Sequence, residues 1–550
     1  MSSFRATLGS RHETSTMESG VHARAAFDKS NKSRLHITNL GMNHPTSGLS
    51  PYALHSRAHA QQDDPEADLG GPSDKINPSA YDHVFFLRPV STMRYLGQSY
   101  GVLVFLLSTL GPKVTQASID LDLENDDSIK AAAKVAAAGM MKYYTGDQPG
   151  DVPGNIPDPY YWWEAGAMFG AMIEYWYYTG DDHWNKMTTQ ALLHQVGDDN
   201  NFMPQNQTLS LGNDDQIFWG FAAMAAAELG YPDPPDDQPQ WLALAENVFN
   251  SQATRWDTST CGGGLHWQVF EYNGGYSYKN TISNGGFFNV ASRLARYTGN
   301  DTFTDWAEKV WDWTNSTGFI NDKWHVLDGA DSGDNCTVIN HSQHAYLPAV
   351  YLHGAANMYN ITKGSEVWKE RIEGLISGLD TFFPNNQNIM IQSCESSKCD
   401  LNSRSFKAYL ARFMAATIPL APFTQEALEP KIQISSIAAA EQCNGPDNAC
   451  GLVWTDGTDY KSSTGIGEQM AAMEIFKANL VHTVKAPVTG KTGGTSQGNS
   501  KSDDGGQKEA VDGDIRTRAI TAGDKAGAGI VAALAVLMPV GAAAFMVVFS

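Results

Sequence analysis

Basic residues are scarce in this 550-residue chain: 38 Lys and Arg stand against 60 Asp and Glu, a formal net charge of −22. A nucleic-acid partner requires clustered cations, so that class of function is excluded. An acidic chain suits a neutral polysaccharide or an acidic extracellular setting instead. Cysteine is sparse, and its six residues never form the paired Cys-x-x-Cys spacing of a zinc site. His341 and His344 flank Gln343, but no third ligand presents itself and no metal or cofactor is expected. Strand-like alternation is nearly absent; Leu265-His266-Trp267-Gln268-Val269 is the best case.

Apolar residues are 42% of the chain and aromatics 11%, with 14 Trp, enough to bury a large core. An even cysteine count suits disulfides. Local spacing suggests Cys394–Cys399 and Cys443–Cys450, leaving Cys261 and Cys336, although spacing alone does not fix the connectivity. Asn-x-Ser/Thr sequons at Asn206, Asn300, Asn315, Asn335, Asn340 and Asn360 add a secretory signature.

The two ends read as addresses. Met93-Arg94, the apolar run Tyr100–Leu107 and the small residues near Ala117 make a secretory signal peptide over 93–117. A signal peptide should begin a chain, so Met93 is expected to be the initiator and the polar stretch 1–92 a disordered, mis-assigned upstream extension. At the far end, 481–523 reads as a Gly/Ser-rich spacer and 524–550 as an apolar tail with no basic stop after Phe549. Such a tail resembles a signal for attachment of a GPI lipid anchor, at Gly523 or alternatively Gly513, in preference to a transmembrane helix. This predicts secretion and tethering to the outer face of the plasma membrane or to the cell wall.

Between them, 118–480 shows helical stripes at 129–140, 163–178, 214–229, 241–256, 284–297, 303–315, 342–359, 366–382, 405–418 and 465–480. An echo recurs at helix ends: Tyr143-Tyr144-Thr145-Gly146-Asp147, Tyr177-Tyr178-Thr179-Gly180-Asp181 and Tyr297-Thr298-Gly299-Asn300-Asp301. Gly is a helix stop, and the following Asp can cap the next helix. About a dozen helices in hairpins could form an open solenoid or a closed toroid, and the toroid is the expectation.

Asn213-Asp214-Asp215-Gln216 is the most informative stretch. Asn213 reads as an N-cap and Gln216 as the residue reaching back to it, which puts Asp214 and Asp215 in the first turn of a helix. The bland reading is that these acids merely suit the helix dipole. The chemical reading is a carboxylate pair for glycosidic cleavage, one group protonated and the other ionised by mutual repulsion. The residues themselves do not say which group attacks.

Together with Tyr160-Tyr161-Trp162-Trp163-Glu164-Ala165-Gly166, Ser283-Asn284-Gly285-Gly286 and Phe406-Lys407-Ala408-Tyr409-Leu410-Ala411-Arg412, this motif resembles glycoside hydrolase family 76, in particular its fungal, GPI-anchored cell-wall members. The resemblance covers roughly 118–480. It implies an all-α (α/α)6 barrel and endo-cleavage of α-1,6-mannan with retention, with Asp214 as nucleophile and Asp215 as acid/base. For the fungal members it further implies transfer of a GPI-core mannose glycan to wall β-glucan. Sugar-facing candidates are Tyr160, Trp162, Trp163, Trp219, Trp267 and Tyr276, with core packing the stronger reading for Trp219 and Trp163. Polar clamps for mannose hydroxyls are Asn284, Asp328, Gln343 and Lys407. Gly285-Gly286, where bacterial members carry a bulkier second residue, is expected to open the cleft. The rival reading is a non-catalytic carbohydrate-binding wall protein on the same fold.

Overall fold

The computed structural model describes residues 118–460 and 463–499. The readings for 1–92, 93–117, Gly513, Gly523 and 524–550 lie outside the described residues.

Asn125, Asn280 and Asn300 each cap a helix through the side chain, ahead of an apolar stripe. Twelve α-helices are present among the described residues: α1 Asp126–Met141, α2 Trp162–Thr179, α3 Asn185–His194, α4 Asn213–Glu228, α5 Trp241–Ala253, α6 Thr281–Thr298, α7 Asp301–Thr317, α8 Tyr346–Ile361, α9 Glu366–Ser377, α10 Phe406–Thr417, α11 Gln425–Gln442 and α12 Ile466–Ala478. The even-numbered helices pack in sequence, α2 on α4, α4 on α6, α6 on α8, α8 on α10 and α10 on α12, and α12 returns to α2. The odd-numbered helices pack outside this ring, with α1 sealing it against α12. This is the expected (α/α)6 barrel.

The inner helices approach closely because small residues meet large ones. A Cβ on Gly166 would lie 2.8 Å from the Trp219 ring, and one on Gly354 would lie 2.4 Å from Phe288. Gly285 and Gly286 serve the same purpose, facing Tyr351 on α8 and Ile217 on α4, so they tighten the barrel and do not open the cleft. Overfilling such contacts costs roughly 1–3 kcal/mol. Buried ion pairs fasten the ring's far end: Arg412 to Glu474 at 2.9 Å, Lys477 to Glu174 at 2.6 Å and Arg293 to Glu228 at 2.7 Å.

The glycine stop of the repeated motif acts as read at two copies, but the following Asp caps neither next helix: the N-cap of α3 is Trp184, and Asn300, not Asp301, caps α7. Gly180 and Gly299 take left-handed φ of 77° and 73°, and Asn300 then caps α7 by accepting from Thr302 N. At the first copy α1 has already ended by Met141, and Tyr144 Oη instead accepts from Gly154 N. Leu265–Val269 is not a strand; only Gln268 forms an isolated bridge, to Gly212. The strands are β1 Tyr278–Asn280, β2 Gly329–Asp331 and β3 Ile339–Asn340, antiparallel in that order, with Lys279 opposite Ala330.

The disulfides are Cys261–Cys336, Cys394–Cys399 and Cys443–Cys450, the pairing that local spacing suggested. The stretch read as spacer from 481 is strapped to the barrel as far as Asn499. Val488 N donates to Glu228 O, Gly490 N to Tyr297 O and Asn499 N to Glu246 Oε2.

Candidate active site

The inner helices all start at one rim, because each returns through an outer partner. At the start of α4 the N-cap is Gly212, one residue earlier than the motif suggested. Asp215, third in the helix, reaches back and accepts from Gly212 N at 2.7 Å, so the capping carboxylate is a member of the acidic pair itself. Asp214 Oδ1 accepts from Asp215 N at 3.0 Å. Asn213 and Gln216 bolt the turn down from behind. Asn213 Nδ2 donates to His266 O at 2.9 Å, Gln216 Nε2 donates to Asn201 O at 2.7 Å, and Arg255 donates to both side-chain oxygens.

Both carboxyls converge. A methyl on Gly212 would lie 2.2 Å from Asp214 Oδ1, 3.2 Å from Asp215 Oδ2 and 3.2 Å from Trp267 Nε1. Burial, then the adjacent Asp215 charge, holds Asp214 well above the usual carboxylate range. Burial raises Asp215 to about 6, against the Gly212 N–H that favours its ionised form. The pair therefore shares a proton near neutral pH.

The sheet supplies the opposite wall. Strand β1 runs into α6 at Asn280, whose side-chain amide donates to Asp214 Oδ2 at 2.8 Å. Asp328 accepts from Tyr278 Oη at 2.7 Å and from Asn340 Nδ2 at 3.0 Å. Tyr346, first residue of α8, lies near both Asp214 and Asp328, whose charges add to burial in raising its hydroxyl. Its ring stacks on Phe406 with centroids 3.9 Å apart. Sequence reasoning missed Asn280 and Tyr346. The signal for Tyr346 was its place in the first turn of an inner helix.

Several predicted contacts resolve otherwise. Asn284 is fully buried and bonds Leu265 N, Leu265 O and Asn280 O, so it braces the loop and does not face sugar. Lys407 is likewise buried, paired with Glu395 at 2.8 Å beneath Trp454. Trp162 and Trp219 stack in the core, with Trp162 Nε1 on Gln195. Gln343 Oε1 accepts from Thr381 at 3.0 Å. Half-buried Tyr160 accepts from Ile466 N at 3.3 Å at the start of α12. Trp163, Trp267 and Tyr276 remain half-buried on rim segments, Tyr276 stacked on His266 at 4.4 Å. Five sequon asparagines are exposed, while Asn300 is half-buried as a helix cap. Asn340 donates its amide to Asp328 beside the site. Among the described residues, no group of three or more His, Cys, Asp or Glu is arranged to hold a metal.

Comparison with known proteins places this geometry. The chain is 44% identical over 437 residues to Mannan endo-1,6-alpha-mannosidase DCW1 of Candida glabrata, covering 78% of this chain and 96% of that protein. It is 43% identical to the protein of the same name from Saccharomyces cerevisiae, covering 76% and 92%. The crystal structure of Dfg5 from Chaetomium thermophilum in complex with glucosamine is 40% identical, covering 69% of this chain and 96% of that one, with a TM-score of 0.67. The GH76A alpha-1,6-mannanase of Salegentibacter sp. HEL1_6 shares the fold at 16% identity, with a TM-score of 0.52 over 64% of this chain and 98% of that one. Residues 128–491, which hold the whole ring and both rim aspartates, match glycosyl hydrolase family 76, and the chain belongs to that family.

Proposed function

We propose that this protein is an endo-acting α-1,6-mannosidase of the fungal cell wall, working by retention with Asp214 as nucleophile and Asp215 as acid/base. The supporting observation is a converging, half-buried carboxyl pair at the start of an inner helix, with both pKa values raised. The first step needs one group ionised against the anomeric carbon and one protonated toward the leaving oxygen. In the free site Asp214 holds its proton more tightly, so this assignment requires substrate to move the shared proton onto Asp215. Asn280, donating to Asp214 Oδ2, favours that shift by stabilising the ionised form. The names of the relatives support the linkage.

The glycosyl-enzyme then passes to water or, in our reading, to a β-glucan acceptor. With the signal peptide and lipid-anchor tail, the enzyme would work at the outer face of the membrane on mannan or GPI-core mannose. The test is cleavage of labelled α-1,6-manno-oligosaccharides by the wild type, Asp214→Asn and Asp215→Asn, with and without glucan. We expect products of retained anomeric configuration and a loss of at least about 10³-fold in either variant. Undiminished turnover in both variants would remove the catalytic role.

A further inference from the structure

A recess of about 560 Å³, including its open mouth, lies on the catalytic rim away from the aspartates. Its walls include the Cys394–Cys399 disulfide, Arg404, Gln442, Leu452 and Ser463. These residues come from the segments that feed α10 and α12 and from the end of α11. In the ring order, α10 stands opposite α4. With neighbouring inner helices about 8–10 Å apart, a six-membered ring puts α4 and α10 roughly 16–20 Å apart, a span of several hexose units.

The recess is built to hold its shape. Lys407 sits at its base, fully buried, joining Glu395 of one wall at 2.8 Å to the Leu452 carbonyl of the other beneath the Trp454 ring. The Cys394–Cys399 and Cys443–Cys450 disulfides close the two flanking loops. Arg404 is partly exposed, and its one ion pair among the described residues is a long 3.7 Å pairing to Glu468, which leaves guanidinium donors for a ligand.

Trp163 links the recess to the catalytic pair. Its indole N–H donates at 3.1 Å to Asn402, in the turn that carries Arg404. Its ring lies 4.7 Å from Phe218, one helical turn from Asp214 on α4.

We infer that this recess is a distal subsite for a hexose of the bound glycan, several units from the cleaved bond, with Trp163 as the stacking face between them. Arg404 and Ser463 present donors and an acceptor to neighbouring hydroxyls, the pattern that fixes a sugar ring in a polar pocket. A glycan crossing the whole rim leaves its scissile bond internal, which is what an endo-acting enzyme needs. The inference rests on the proposed mannosidase reading.

The test uses the full secreted chain and a length series of α-1,6-manno-oligosaccharides. In the wild type kcat/KM climbs with length until the recess is occupied. Arg404→Ala should lower the long-to-short ratio of kcat/KM about tenfold through KM, the scale of lost charge-assisted hydrogen bonds. Ser463→Tyr, which fills the recess and leaves the guanidinium in place, should do the same and stands in if Arg404→Ala does not fold. A ratio unchanged in the folded variants overturns the subsite. If no oligosaccharide is cleaved at any length, the mannosidase reading has failed, and calorimetric titration of the longest oligosaccharide decides the recess separately. Weaker binding in the variants upholds it, and equal binding or none removes it.

Discussion

Asn280 donates its side-chain Nδ2 to Asp214 at 2.8 Å while its side-chain Oδ1 accepts from Ser283 N at 3.2 Å as the cap of α6. The cap fixes the amide's orientation, so the NH2 must face the carboxylate. Asn280→Asp keeps a capping oxygen but turns the donor into a second negative charge. Asp214 should then bind its proton more tightly. We expect kcat to fall by about 10²-fold, the acid limb of the pH profile to move upward, and Tm to shift by only a few degrees. A matched drop in activity with an unmoved pH profile would show that Asn280 serves the helix and not the carboxylate.

The pair's raised pKa values make a linked prediction for activity and stability. Catalysis by one ionised and one neutral carboxyl should rise through about pH 6, where Asp215 ionises, and fall at higher pH as the remaining proton leaves. For stability the sign runs the other way. A carboxyl raised in the fold contributes fully below its unfolded pKa, near 4, and loses that contribution as pH rises through 6. The shift from 3.8 to about 6 corresponds to a stability cost of about 3 kcal/mol at pH 7. Asp215→Asn, which can still accept from Gly212 N, should raise Tm at pH 7 by about 2–5 °C and change it little at pH 4. Calorimetry across pH 4–8 checks both ends, and a Tm gain constant with pH would rule out the charge as its cause.

Much of this site was legible because its chemistry and its local structure share one signal. Two acids in a first turn announce both a helix start and a candidate reactive pair, and Asp214 and Asp215 are in the first turn where the motif put them. The cap was misread by one residue because Asn213 is the commoner capping type; its amide is spent on His266 across the chain, which spacing cannot reveal. Asn280 was hidden by the opposite error, since the apolar stripe of α6 reads from 284 while the helix begins at Thr281. Lys407 looked like a clamp because a cation in that motif can hold a hydroxyl, and only the fold shows that its partner is Glu395. Helices α3 and α11 escaped notice for local reasons. Asn185–His194 is short and has few apolar residues, and Gln425–Gln442 contains Pro430, a residue type that breaks helices.

Gly212 is a separate control on the same pair. Its backbone, with φ −91° and ψ 158°, suits any residue. A methyl there would nonetheless sit 2.2 Å from Asp214 Oδ1. Gly212→Ala should therefore fold but displace the carboxylate by most of an ångström. Such misplacement costs about 10²-fold in kcat. The expected result is low turnover with Tm nearly unchanged, measured together on one preparation. Full activity would place Asp214's carboxylate elsewhere during turnover.

The three disulfides close loops of very different length, which ranks their contributions. Cys261 and Cys336 are separated by 75 residues, whereas the other two pairs are separated by 5 and 7. In the chain-entropy account the stabilisation grows with the logarithm of loop length, so the long bridge should be worth about 2 kcal/mol more than either short one. It also holds the wall opposite the two aspartates, because Cys261 N donates to Asn335 and Trp313 donates to the Cys261 carbonyl, behind the β1–β2 pair that positions Asn280. Replacing Cys261 and Cys336 together by Ser should give the largest Tm loss of the three double variants. It should also be the variant in which KM and kcat both worsen below the melting range. Equal Tm losses across the three would mean that packing, and not loop closure, sets what these bridges contribute.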